Sequence, residues 1–136
     1  MSQIEKIAVI GAGNMGSGIA QKIAQEGINV VMVDVKEEFV QRGLDTIKGL
    51  LNEGVERKIF TPDQVETVLS RIQATTDMKA VADADLVIEA VFEDKQVKSD
   101  LFKRLDDICD EKTILATNTS SFYVRDFADL TSRPDR

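Results

Sequence analysis

With 136 residues, a net charge of −7 and a single cysteine, Cys109, the chain has the length for one domain with a real core and not for two of similar size. Its acids are scattered rather than gathered in a block, which makes the surface as a whole a poor partner for nucleic acid, and one cysteine excludes an intrachain disulfide framework. Apolar runs are strand-sized, which excludes a membrane span, and no leader pattern opens the chain, so a reducing, cytoplasmic location is expected.

The first predicted strand, Lys6–Ile10, runs straight into Gly11-Ala12-Gly13-Asn14-Met15-Gly16. In such a turn the first glycine permits the tight bend, the second clears space for a pyrophosphate, and the third lets helix and strand approach. The N–H groups from Gly13 through Asn14 to Met15 then open a helix and can donate to anionic oxygens, with the helix dipole adding to the field. Ile19, Ala20, Ile23 and Ala24 give that helix its apolar face, and Gly27 closes it. A second strand, Asn29–Val33, ends at Asp34, 18 residues beyond Gly16. A carboxylate there suits an adenosine ribose and would repel a 2′-phosphate, so NAD is expected over NADP. Asp34 is also placed to cap the helix that follows, and the two roles can coexist.

Glu37 to Asn52 is the next predicted helix, with Phe39, Val40, Leu44, Ile47, Leu50 and Leu51 on one face and a stop near Gly54. Thr61-Pro62-Asp63-Gln64 predicts a capped helix start, and Val65, Val68 and Leu69 supply its buried stripe to Ser70. This helical pair after the second strand makes a long crossover that could reach beyond the sheet toward a bulky substrate. Then come a strand at Ile72–Thr75, a small helix at Met78–Val81, and an apolar strand at Asp85–Val91 of parallel-sheet type. A helix over Val97–Asp110, a strand over Thr113–Thr117 and a helix over Ser121–Leu130 follow. The alternation predicts an α/β fold: a Rossmann-type parallel sheet with a helical-pair insertion after the second strand. Thr131–Arg136 is a polar loop, and the abrupt ending suggests one NAD-binding domain over 1–136 that stops before the full domain does.

Three segments, Ile7–Gly16, Asp85–Asp94 and Ile114–Ser121, together resemble the N-terminal NAD-binding domain of the L-3-hydroxyacyl-CoA dehydrogenase family over essentially the whole chain. The resemblance implies oxidation of the 3-hydroxyl of an acyl-CoA with reduction of NAD, as in fatty-acid β-oxidation, or the reverse. It implies that Gly11, Gly13 and Gly16 meet the pyrophosphate, Asp34 the ribose, Glu93 the nicotinamide side, and Lys98 and Asn118 the cofactor. Ser120 is implied to touch both the substrate oxygen and the nicotinamide region, making Ser120 and Glu93 the catalytic candidates. Lys48 on the helical pair, with Arg57 and Lys58, is implied to face CoA phosphates. Asp94 stands where the family often has asparagine, adding a second carboxylate. No metal site is expected. Histidine is absent, whereas the family's catalytic base is a histidine in a later strand. The expected partners are therefore an acyl-CoA and a C-terminal helical domain of a parent chain that forms a homodimer. The fragment alone is expected to bind cofactor and turn over negligibly. A non-catalytic NAD-binding module, or the first domain of a related β-hydroxyacid dehydrogenase, are the alternative readings.

Overall fold

Side chains alternate across a strand, so a strand that is apolar at successive positions must bury both faces. The computed structural model, which describes residues 3–136, shows this at the centre of the sheet. Val9 of β1 (Lys6–Ile10) joins Val30 and Met32 of β2 (Asn29–Val33) in one core, while Ala8 and Ile10 join Val31 and Val33 in the other. β3 (Ile72–Thr75), β4 (Leu86–Glu89) and β5 (Ile114–Thr117) complete a parallel sheet in the order β3-β2-β1-β4-β5. The register sets Ile10 against both Val33 and Glu89, and Glu89 against Thr117, so the C-terminal ends of the strands lie level. Between β1 and β4 the direction of building reverses, which opens a crevice at those ends.

One face is covered by α1 (Asn14–Gln25), α2 (Glu37–Glu56) and α3 (Pro62–Ser70), through Ala20, Ala24, Ile47, Leu51, Val65 and Val68. The other is covered by the 3₁₀ turn Met78–Val81 and α4 (Lys95–Ile108), through Val81, Leu105 and the adjoining Cys109. α5 (Val124–Ala128) leans on α4, with the Phe127 ring stacked 5.4 Å from Phe102. No described helix is long and apolar enough to cross a membrane.

The helical pair after β2 is present, and it lies against α1 and β3 as part of the core, not as an arm beyond the sheet. Thr61 caps α3 as expected: its hydroxyl accepts from Gln64 N–H at 3.2 Å, and Gln64 Oε1 accepts from Thr61 N–H at 2.9 Å. Several boundaries differ from the sequence pattern. α2 runs on through Gly54 to Glu56, and Gly54 is a buried helical residue whose missing side chain admits the Phe60 ring, with a Cβ falling 2.4 Å from it. Farther up the helix, a Cβ on Gly43 would fall 2.6 Å from the Ala12 carbonyl oxygen, so α2 also closes on the glycine turn. Leu50, assigned above to the buried face, is half exposed. The strand expected at Asp85–Val91 is shorter, Leu86–Glu89, with the Asp85 carboxylate at its start accepting the N–H groups of Glu5 and Lys6. α4 starts at Lys95, two residues before the expected Val97, and α5 covers half of the expected Ser121–Leu130.

The polar tail is tied down. Arg133 is 5% exposed; it pairs with Asp106 at 2.9 Å and donates to the carbonyls of Asp106, Cys109, Asp110 and Thr113. Arg136 C=O accepts from Leu115 N–H at 2.7 Å.

Candidate functional site

The three glycines do different work. Gly11 has φ +113°, a left-handed value that favours glycine, and a Cβ there would fall 2.6 Å from the Ala90 carbonyl oxygen. A Cβ on Gly16 would fall 1.8 Å from the Gly11 carbonyl oxygen, so the first turn of α1 closes on the loop only because that side chain is missing. Gly13 differs on both counts. Its φ of −75° is open to any residue, and nothing lies within 4 Å of where its Cβ would be. Space, not conformation, is what glycine supplies at 13. α1 has no side-chain cap and no acid in its first turn, and Asn14 and Met15 are exposed. Its unpaired N–H groups therefore face the cleared space, which fits the pyrophosphate of NAD.

Asp34, at the end of β2, accepts the Ala12 N–H at 2.8 Å and the Val35 N–H at 2.7 Å. It thereby braces the glycine turn from the adjacent strand. It does not cap α2, whose N-cap is Lys36 without a side-chain bond. An ionised carboxylate has about four acceptor positions, so two backbone donors leave room for ribose hydroxyls.

At the ends of β4 and β5 the structure brings Glu93, Lys98 and the 118–122 loop together. Lys98 has no exposed surface; its Nζ lies 2.5 Å from Glu93 Oε1 and 3.2 Å from Glu89 Oε1. Glu89, equally buried, also accepts from the Thr117 hydroxyl at 2.5 Å and from Val91 N–H at 2.8 Å. Thr119 donates its hydroxyl to Glu93 Oε2 at 2.7 Å. The Lys98 ammonium, then the Thr119 hydroxyl, hold Glu93 below the ordinary carboxylate value against the opposing effect of desolvation. Asn118 donates its N–H to the Glu89 carbonyl at 2.9 Å, extending the ladder by one rung, and Ser120 is exposed two residues on. Asp94, the carboxylate next to Glu93 in the chain, caps α4, its Oδ1 accepting Val97 N–H at 3.0 Å.

Lys48 is not brought to this cluster. It lies exposed on α2, about 16 Å along the axis from the helix's first turn. The sequence reading missed Glu89, Thr117 and Thr119. A signal for Glu89 existed, since it is the one ionisable residue within the apolar run Leu86–Val91. The threonines carry no such signal.

At the C-terminal ends of the strands the sheet thus carries an uncapped helix end over open space, a carboxylate with free acceptor positions, a lysine shared by two carboxylates, and an exposed Ser120. Residues 6–136 match the family described as 3-hydroxyacyl-CoA dehydrogenase, NAD binding domain. A probable 3-hydroxybutyryl-CoA dehydrogenase of Deinococcus radiodurans is 49% identical over 129 residues, covering 95% of this chain and 46% of that protein. The crystal structure of (S)-3-hydroxybutyryl-CoA dehydrogenase PaaH1 from Ralstonia eutropha superposes with a TM-score of 0.95 at 38% identity, covering 98% of this chain and 47% of that one. FadB2 of M. tuberculosis gives a TM-score of 0.96 at 37% identity, with coverages of 99% and 48%. The chain spans less than half the length of these relatives.

Proposed function

The chain belongs to the 3-hydroxyacyl-CoA dehydrogenase family as an NAD-binding domain, and we propose that it serves an enzyme moving hydride between NAD and the 3-hydroxyl carbon of an acyl-CoA in fatty-acid β-oxidation. The cleared space at Gly13, facing an uncapped helix end, is the observation that carries this reading. NAD, when bound, supplies the hydride acceptor. The N–H groups at Gly13, Asn14 and Met15 bind its pyrophosphate, and Asp34 accepts from its ribose. Glu93 and Asn118 line the nicotinamide side, with the buried Lys98 ammonium holding Glu93 from behind. The Ser120 hydroxyl donates to or accepts from the substrate oxygen and so aligns the reacting carbon. The names of the relatives make 3-hydroxybutyryl-CoA the first substrate to test. Lys48 contacts the CoA portion from the outer side of α2. The remainder of a homodimeric parent brings the proton-accepting base, since histidine is absent here.

Titration of the chain into NADH and NADPH tests the reading, with nicotinamide fluorescence as the signal, which absence of tryptophan leaves clean. Saturable binding that prefers NADH is expected. Asp34→Ala should weaken NADH by about tenfold or more, the scale of a hydrogen bond to a charged group, and narrow its advantage over NADPH. A folded chain that ignores NADH would overturn the assignment.

A further inference from the structure

Glu89 lies inside the sheet, level with Ile10 and Thr117 and without exposed surface. A buried ionisable group is tolerated only when its partners are complete. Here they close into a ring. The Thr117 hydroxyl donates to Glu89 Oε1 at 2.5 Å and accepts Thr119 N–H at 3.1 Å. The Thr119 hydroxyl donates to Glu93 Oε2, and Lys98 Nζ returns from Glu93 Oε1 to Glu89 Oε1. Carboxylates only accept, so the polarity of both hydroxyls is fixed. The lone pairs left on Thr119 Oγ1 take the N–H groups of Ser121 and Phe122, each at 3.3 Å. The loop thus hangs from the ring at both ends, by Asn118 N–H on the Glu89 carbonyl and by Ser121 and Phe122 on Thr119, with Ser120 exposed between.

We propose that Glu89 is a positioning residue: acting through Lys98, Glu93, Thr117 and Thr119, it fixes the loop that presents Asn118 and Ser120 to the cofactor crevice. The inference rests on the roles proposed above for Asn118 and Ser120. In a ring, displacing any member strains two bonds, so the geometry set by β4 is passed to a loop after β5. The competing account is local: Thr119 alone folds the loop as an ordinary threonine turn, and a change at position 89 leaves the loop amides untouched.

Amide hydrogen exchange on the 136-residue chain separates the two, with Ser121 and Phe122 read relative to Val31 in β2. Glu89→Gln keeps the size and removes the charge, and should speed exchange at both loop amides by about tenfold relative to Val31. Thr119→Val should do the same, and Thr119→Ser should restore protection. Glu93→Ala opens the ring from its other side at a side chain already 41% exposed, so it reports even if Glu89→Gln does not fold. Loop amides unchanged relative to Val31 in Glu93→Ala, or in folded Glu89→Gln, would overturn the proposal. NADH titrations of the same variants should weaken in step with the exchange. Failure of the unaltered chain to bind NADH would remove the cofactor reading, while the exchange comparison would still decide the ring.

Discussion

Gly13 and Gly16 are three residues apart and fail in opposite ways when given a methyl group. Gly13→Ala meets open space in an ordinary conformation, so the protein should keep its stability and lose NADH affinity. Gly16→Ala drives a methyl into the Gly11 carbonyl and should destabilise the fold by about 3 kcal/mol or more, as overpacking of a tight contact does. Urea unfolding beside NADH titration distinguishes them; equal losses of stability would mean that Gly13 is also structural. Glu93 makes a related point through its charge. Held below its ordinary value by Lys98 and then Thr119, it remains a carboxylate throughout the neutral range and loses those partners only in acid.

The C-terminal end of α4 shows what the elements need beyond their own sequence. The Asp106 carbonyl in its last turn would be an orphan, and the Arg133 guanidinium, arriving from the polar tail, takes it together with the Cys109 and Asp110 carbonyls just beyond the helix while pairing with the Asp106 carboxylate. Desolvation pushes the Asp106 carboxyl up, but donation from Ser132 and Arg133 outweighs it and holds the group below its ordinary value. A depressed carboxyl contributes stability above its unfolded value and loses it as pH falls through the folded one. Asp106→Asn should therefore cost about 2 kcal/mol at pH 7, and the difference from the unaltered chain should shrink below about pH 4. Urea unfolding at the two pH values checks this; a gap independent of pH would exclude the ion pair as its cause. Short-range grammar was readable in advance: the glycine turn, the Thr61–Gln64 box and the first two strands fall where the residue pattern puts them. What escaped depends on partners distant in sequence. Arg133 reads as loop until α4 ends against it, and Thr119 is anonymous until Glu93 lies beside it.

For the molecule as a whole, α2 joins parts that function must keep in register. Its Gly43 seats the glycine turn through Ala12, and its Gly54 seats the corner to α3 through Phe60, while Gly49 between them faces nothing within 4 Å. Alanine is the better helix former by about 1 kcal/mol, so Gly49→Ala should raise the melting temperature. The same change at Gly43 or Gly54 should lower it, and uniform gains at all three in thermal melts would show that these close approaches carry no weight. By composition α2 is a poor helix, and a designer replacing its weakest formers would reach for these glycines first. Two of the three replacements would push the helix off the surfaces it was shaped to meet, moving the cofactor turn in one case and the α3 corner in the other. Glycine in α2 is therefore a record of its neighbours: the helix gives up intrinsic order where the rest of the protein must come close.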